Sequence, residues 1–321
     1  MRALPASRTS SCPINSVSHR ARQSCRDNCV RCALAALALF AVFASAVSAD
    51  DIGSLFRQAQ DFVRREQYGE AVPLLEKCVA AEPGNSKFHQ WLGRALGLQA
   101  AQNGIVSGAL SLRRVKAELE KAIELDPLNL EARQDLAIMY RAAPGFLGGS
   151  NAKAAEQVAF IRRHDPALAS QLDGDFLFGD KKYDAALAAY QESARLHPRP
   201  MIQVRISLVY QQMKDWTQAF AALDRALAID PNFPFALYQV GRTAALSGQQ
   251  LDRGEKCLRT YIATPVREDL ENPSIAAAHF RLGNILEKKG SSAGARTEYE
   301  TSIRIDPKNK LARESLAKLK R

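Results

Sequence analysis

Histidine and cysteine are scarce in this 321-residue chain, with five of the first and six of the second. Four cysteines (Cys12, Cys25, Cys29, Cys32) and one histidine fall within residues 1–49. That leaves Cys78, Cys257, His89, His164, His197 and His279 for everything else. None of these six makes a His-x-x-x-His pair or a His/Cys cluster with ligand spacing, so no metal site is expected. Two lone thiols read as small buried hydrophobes rather than a disulfide. No Walker-type loop and no dinucleotide fingerprint occurs, which removes the usual phosphate cradles and any cofactor built on them.

Two chemical motifs are present but out of context. Gly290-Ser291-Ser292-Ala293-Gly294 fits a nucleophile elbow, yet it sits between two helical patterns rather than between a strand and a helix. Ser150-Asn151-Ala152-Lys153 fits Ser-x-x-Lys without companion motifs, and Ser150 reads as a helix cap. Cys25, Cys29 and Cys32 have the spacing of a radical iron–sulfur site, but Cys32 abuts an apolar run instead of a barrel. The chain is expected to carry no catalytic residues.

The formal charge of +10 is half accounted for by the N-terminus, where residues 1–49 hold six arginines and a single acid, Asp27. A basic segment, the apolar run Ala33–Val47 and small residues ahead of Asp50-Asp51 describe an export signal, with cleavage expected after Ala49. Export implies a periplasmic location. An uncleaved membrane anchor over 33–49 and an organelle lumen are the alternatives, and no stable membrane insertion is expected after cleavage. A basicity concentrated in a leader does not speak for a nucleic-acid partner.

What is abundant is a repeated phrase. Gln212–Pro231 reads as a turn, an amphipathic helix with Ala219, Leu223 and Ala226 on one stripe, and a proline stop. It returns as Ala117–Pro127, Ala295–Pro307 and Ala71–Pro83, with looser copies ending at Pro166 and Pro198. Prolines 83, 127, 166, 198 and 231 are 44, 39, 32 and 33 residues apart, and 76 more lead to Pro307. A spacing near 34, twice lengthened and once doubled, indicates a helical repeat array.

In this pattern the chain resembles the tetratricopeptide repeat (TPR) family. Trp91-Leu92-Gly93, Leu282-Gly283 and the recurring small–large–small stripe carry the likeness over about 50–321. The resemblance implies an all-α, right-handed α-α superhelix of about seven helix pairs. The repeats are placed at 52–85, 86–129, 130–166, 167–198, 199–233, 234–265 and 274–307, with a capping helix at 308–321 built on Leu311, Leu316 and Leu319. Insertions at Gln102–Gly108 and Ala143–Ser150 fall in equivalent turns of adjacent repeats, so both are expected on one edge.

In the family the first helices line a groove that takes an extended peptide or a partner's helix. Counting from each Leu-Gly point, that groove is expected to include Phe56, Arg94, Gln134, Ile138, Gln171, Asp175, Leu208, Tyr238, Arg242, Phe280 and Asn284. Phe146 and Leu147, set among glycines, are a second candidate contact, or else fold back on their own repeat. The expected function is an exported scaffold for protein–protein interaction in the cell envelope. The alternative is an enzyme-associated or carbohydrate-active accessory protein with a ligand in the groove, and self-association through exposed repeat faces is a third option.

Overall fold

The Asp-Pro stops work by a turn that satisfies its own backbone. At Asp126 the main-chain N–H closes the helix on the Ala122 carbonyl, the carboxylate accepts from Leu128 N at 3.0 Å, and the Asn129 N–H returns to the Asp126 carbonyl. Pro127 between them has no N–H to satisfy. The same arrangement recurs at Asp230 and Asp306, whose carboxylates accept from Asn232 N and Lys308 N. Pro231 therefore closes a helix without opening the next. Pro234 opens it, at the first helical position, as Pro166 and Pro200 do for theirs.

A computed structural model describes residues 49–265 and 272–319. The expected leader and its cleavage point, the leader cysteines, the segment 266–271 and the last two residues lie outside the described residues. Fifteen α-helices are described: α1 Ala49–Arg64, α2 Tyr68–Ala81, α3 Ser86–Asn103, α4 Ile105–Leu125, α5 Leu130–Ala142, α6 Asn151–His164, α7 Pro166–Gly179, α8 Tyr183–Leu196, α9 Pro200–Met213, α10 Trp216–Ile229, α11 Pro234–Ser247, α12 Leu251–Ala263, α13 Ile275–Lys288, α14 Ser292–Ile305 and α15 Lys310–Leu319. They pack as seven successive hairpins and a final helix on α14, and no strand occurs among the described residues. The described residues from Asp50 onward form one compact unit.

Each hairpin closes where a small residue of the first helix meets a large one of the second. A Cβ placed on Gly93 would lie 2.8 Å from Leu119, on Gly174 2.5 Å from the Tyr190 ring, on Gly241 2.2 Å from Leu258 and on Gly283 2.5 Å from the Tyr299 ring. Glycine at these points is a packing requirement, since carbon atoms ordinarily approach no closer than about 3.5 Å. The next small position on the second helix is Cys78, Ala122, Ser193, Ala226 or Ser302, all fully buried. Where it is serine the hydroxyl donates to a first-helix carbonyl: Ser193 to Ala167 and Ser302 to Ala276, both at 2.8 Å. Cys78 is a buried free thiol, whereas Cys257 is free but half-buried.

Three registers differ from the sequence reading. In α4 the stripe is Val115, Leu119 and Ala122, and Ala117 is exposed, because counting back from the proline, not forward from an alanine, sets the phase. In α1 the sequence pattern puts Leu55, Ala59 and Phe62 on the inner face, whereas the buried positions are Ile52, Phe56, Ala59 and Val63, and Leu55 and Phe62 only flank them. In the cap Ala312 is fully buried while Leu311 is 55% exposed, and Leu316 and Leu319 pack on the core.

The insertions resolve differently from each other. Gln102–Gly108 lengthens both helices of its hairpin: α3 and α4 run 18 and 21 residues, joined through Gly104 alone at φ 82°. Ala143–Ser150 is a loop holding one 3-10 turn, Gly145–Leu147, and Ser150 then caps α6 by accepting from Lys153 N. The buried apolar residues fall into four clusters along the array rather than one: residues 52–154, 137–172, 186–222 and 204–312. Each links neighbouring repeats, as expected of a quasi-one-dimensional array.

Candidate interaction face

First helices of successive repeats touch along one side, α3 with α5, α9 with α11 and α11 with α13. Their side chains bond across the repeat boundary in a regular way. Numbering from the closest-packed residue (Gly93, Ala137, Gly174, Ser207, Gly241, Gly283), the residue one later on one helix meets the residue two earlier on the next. Arg94 on α3 thus holds Asp135 on α5 through paired bonds of 2.9 to 3.2 Å, with Gln90 adding one at 2.7 Å. Asp175 on α7 accepts from Arg205 on α9 and from Tyr190. Burial pushes both carboxyls above the usual carboxylate range, while the facing guanidinium pulls each back down.

The third such pairing breaks the rule. Arg242 on α11 stands in the field of Arg281 on α13, and neither makes an ion pair among the described residues. Arg242 donates instead to the neutral amide oxygens of Gln211 and, at 3.5 Å, Gln239. Burial first, and the charge of Arg281 second, hold its guanidinium below the ordinary arginine range. Arg281 lies 5.0 Å from the Phe280 ring, and its buried Nε has no acceptor.

The residues expected to line a groove divide into two kinds. Those three before the packing point are mostly covered. Phe56 packs on Phe88 and Trp91 at ring separations of 4.9 and 5.9 Å, Tyr238 on Tyr261 at 5.6 Å and Phe280 on Tyr299 at 5.9 Å. Gln171 is buried and accepts from Arg199, and only Gln134 keeps partial exposure. These aromatic rings sit in the core rather than at an open wall, because the neighbouring helix covers that turn. Those one after the packing point (Arg94, Asp175, Leu208, Arg242, Asn284) are half-exposed, and Ile138 is 42% exposed. Asn284 donates to the Tyr299 hydroxyl at 2.8 Å. The positions two before (Asp135, Arg205, Gln239, Arg281) escaped the sequence reading. Charge complementarity between adjacent repeats at that spacing is the signal that finds them.

His89 and His279, equivalent on their helices, each bond a carboxylate of their own hairpin, Glu118 at 2.7 Å and Glu298 at 2.6 Å. They are packing residues. Beside the lengthened hairpin, α3, α4, α5 and the 143–147 turn enclose a cavity of about 550 Å3 whose walls are largely apolar, including Val115, Leu119, Ile138, Met139 and Leu147. Both insertions thus border one space, with Arg94, Gln134 and Asp135 at its polar side. Leu147 turns into it, while Phe146 is 85% exposed. Among the described residues no three His, Cys, Asp or Glu side chains gather to hold a metal, and no helix is long and apolar enough to cross a membrane.

A sequence model of the tetratricopeptide repeat matches residues 56–104, 174–234 and 243–310, together more than half of the chain. The unmatched stretch between the first two matches holds the lengthened helix α4, α5, the inserted loop, α6 and the first half of α7. Protein O-mannosyl-transferase TMTC1 of Homo sapiens is 28% identical over 204 residues, 53% of this chain and 22% of that protein. The mouse protein of the same name is 27% identical over 116 residues, 12% of its length. The chain thus spans about a fifth or less of the curated relatives it matches. Among solved structures, yeast Tom70 superposes with a TM-score of 0.58 at 14% identity over 87% of this chain and 58% of that one. A human IFIT1 dimer with PPP-AAAA gives 0.56 at 18% identity, over 79% and 60%. Identities this low speak for the fold alone.

Proposed function

Because the chain belongs to the tetratricopeptide repeat family, we propose that it is a non-enzymatic scaffold that holds an extended segment of another protein along its first-helix face, in the cell envelope after export. One observation carries the reading. The face presents half-exposed arginine, amide and apolar side chains in a fixed ladder, Arg94, Ile138, Leu208, Arg242 and Asn284 among them. Such a surface bonds a peptide backbone and pockets its side chains without any group poised for chemistry. The leader of basic, apolar and small residues supports the export part.

The reading of a carbohydrate-active accessory gains little from the cavity, whose apolar walls offer a sugar few hydrogen bonds. To test the scaffold role, Ile138→Lys and Leu208→Lys together place two charges on the face at half-exposed positions. Affinity purification from the source organism is expected to lose its bound proteins while the helical signal and melting temperature stay put. Unchanged co-purifying proteins would show that this face is not the one used.

A further inference from the structure

Gly97 serves neither of the purposes that explain the glycines of the hairpin contacts and turns. It lies inside α3, four residues after the closest-packed Gly93, and its backbone is helical rather than left-handed. A Cβ there would meet only Val115, at 3.7 and 3.9 Å, so no neighbour demands its absence. At this register the later first helices carry Arg141, Phe178, Gln211, Ala245 and Glu287. Glycine in a helix interior weakens the helix relative to alanine. What Gly97 leaves in return is space. It lines the cavity of about 550 Å3 beside the lengthened hairpin, which the inserted turn borders through Leu147.

We propose that this cavity binds a small lipid: one unbranched acyl chain with an uncharged hydrogen-bonding head, of the monoacylglycerol kind. Volume sets the chain. A benzene-sized guest fills a cavity of about 150 Å3, so the space between α3, α4 and α5 has room for a chain of about 12 to 18 carbons. Its walls suit a hydrocarbon, with Val115, Leu119 and Met139 buried and apolar. The polar side sets the head. There Arg94 and Asp135 close on each other through paired bonds, and Gln90 donates to the same carboxylate. Charges cancelled in this way leave no countercharge for an ionised head, whose desolvation would then go uncompensated. The Gln134 amide, on the same side, offers a donor and an acceptor to a hydroxyl or an ester. The inference goes beyond the scaffold reading and does not rest on it.

Isothermal titration calorimetry of the full chain with octanoyl, decanoyl and dodecanoyl glycerol, each below its micelle concentration, tests this. Every two carbons added are expected to tighten binding about tenfold. Gly97→Leu fills the space beside Val115. It is expected to hold dodecanoyl glycerol about tenfold more weakly, with octanoyl glycerol held as before and the melting temperature not lowered. Ala101→Phe, at an exposed α3 position on the same wall, is expected to act alike and serves if the leucine variant does not fold. Binding that is absent or indifferent to chain length overturns the inference, as does dodecanoyl glycerol held equally by parent and variants. Dodecanoate held more tightly than its glycerol ester overturns the uncharged head. A leucine-rich peptide held more tightly than either assigns the cavity to a partner's side chains and overturns the lipid. In every case the scaffold reading stands or falls by its own test.

Discussion

Adding one methyl group at Gly174 tests whether the hairpins close by contact between backbone and ring. Its Cβ would lie 2.5 Å from two carbons of the Tyr190 ring, so the ring must retreat by about 1 Å to restore ordinary contact. The ring is not free to do so. Tyr190 is 2% exposed and its hydroxyl donates to Asp175 at 2.7 Å, which also holds Arg205 on the next repeat. Overpacking of this kind costs about 1–3 kcal/mol, and loosening a hydrogen bond to a carboxylate adds about 1.5. Alanine in a helix interior returns about 1 kcal/mol relative to glycine. The net loss for Gly174→Ala is about 2 kcal/mol, a fall of about 5 °C in melting temperature. Gly97→Ala is the control: its Cβ meets nothing nearer than Val115 at 3.7 Å. There the helix gain is unopposed, and a rise of about 2 °C is expected. Thermal circular dichroism at 222 nm reads both. A Gly174→Ala protein as stable as the parent, or two variants moving in the same direction, would refute the close-packing argument.

Other perturbations separate roles that the sequence alone left joined. Phe146→Ser removes an exposed ring and is expected to change stability by under about 0.5 kcal/mol, whereas Leu147→Ser strips a cavity wall and loosens the inserted loop, visible as faster proteolysis between residues 143 and 150. Loss of a bound protein with Phe146→Ser at unchanged stability would assign the ring to an interface. Burial pushes the phenols of Tyr140 and Tyr299 up to about 12 and that of Tyr190 higher still. A phenol raised in the folded state stabilises fully below its unfolded value near 10, and that contribution is lost as pH climbs toward 12. Phenolate absorbance is therefore expected to arrive in two stages, the later one together with loss of helix, and a single stage with the helix intact would refute the burial assignment.

Proline spacing made the array legible before any coordinates. An Asp-Pro stop is a local device whose hydrogen bonds close within four residues, so it survives in sequence with its phase intact. The small–large–small stripe was legible for the same reason wherever it was counted from a proline, and it slipped where it was counted from an alanine, as at Ala117 against Val115. Partner identities between repeats were not legible. Whether a first-helix residue faces solvent or the next repeat depends on how far adjacent hairpins are rotated. That rotation set Phe56 against Phe88 and Trp91 of the next repeat and brought Asp135 and Arg205 to the ladder, while Tyr238 and Phe280 pack on Tyr261 and Tyr299 of their own hairpins.

The division of the apolar interior into four clusters bears on how the molecule comes apart. A protein with one shared interior loses it all at once, but here each block is joined to the next by a few side chains and the lone covalent thread. Loosening should therefore spread from a breach like a zip opening, halting where a strong rung such as Asp175–Arg205 clasps two blocks. Under tension or in the grip of a protease such a chain yields in instalments, and a partner seated across two blocks would act as a splint.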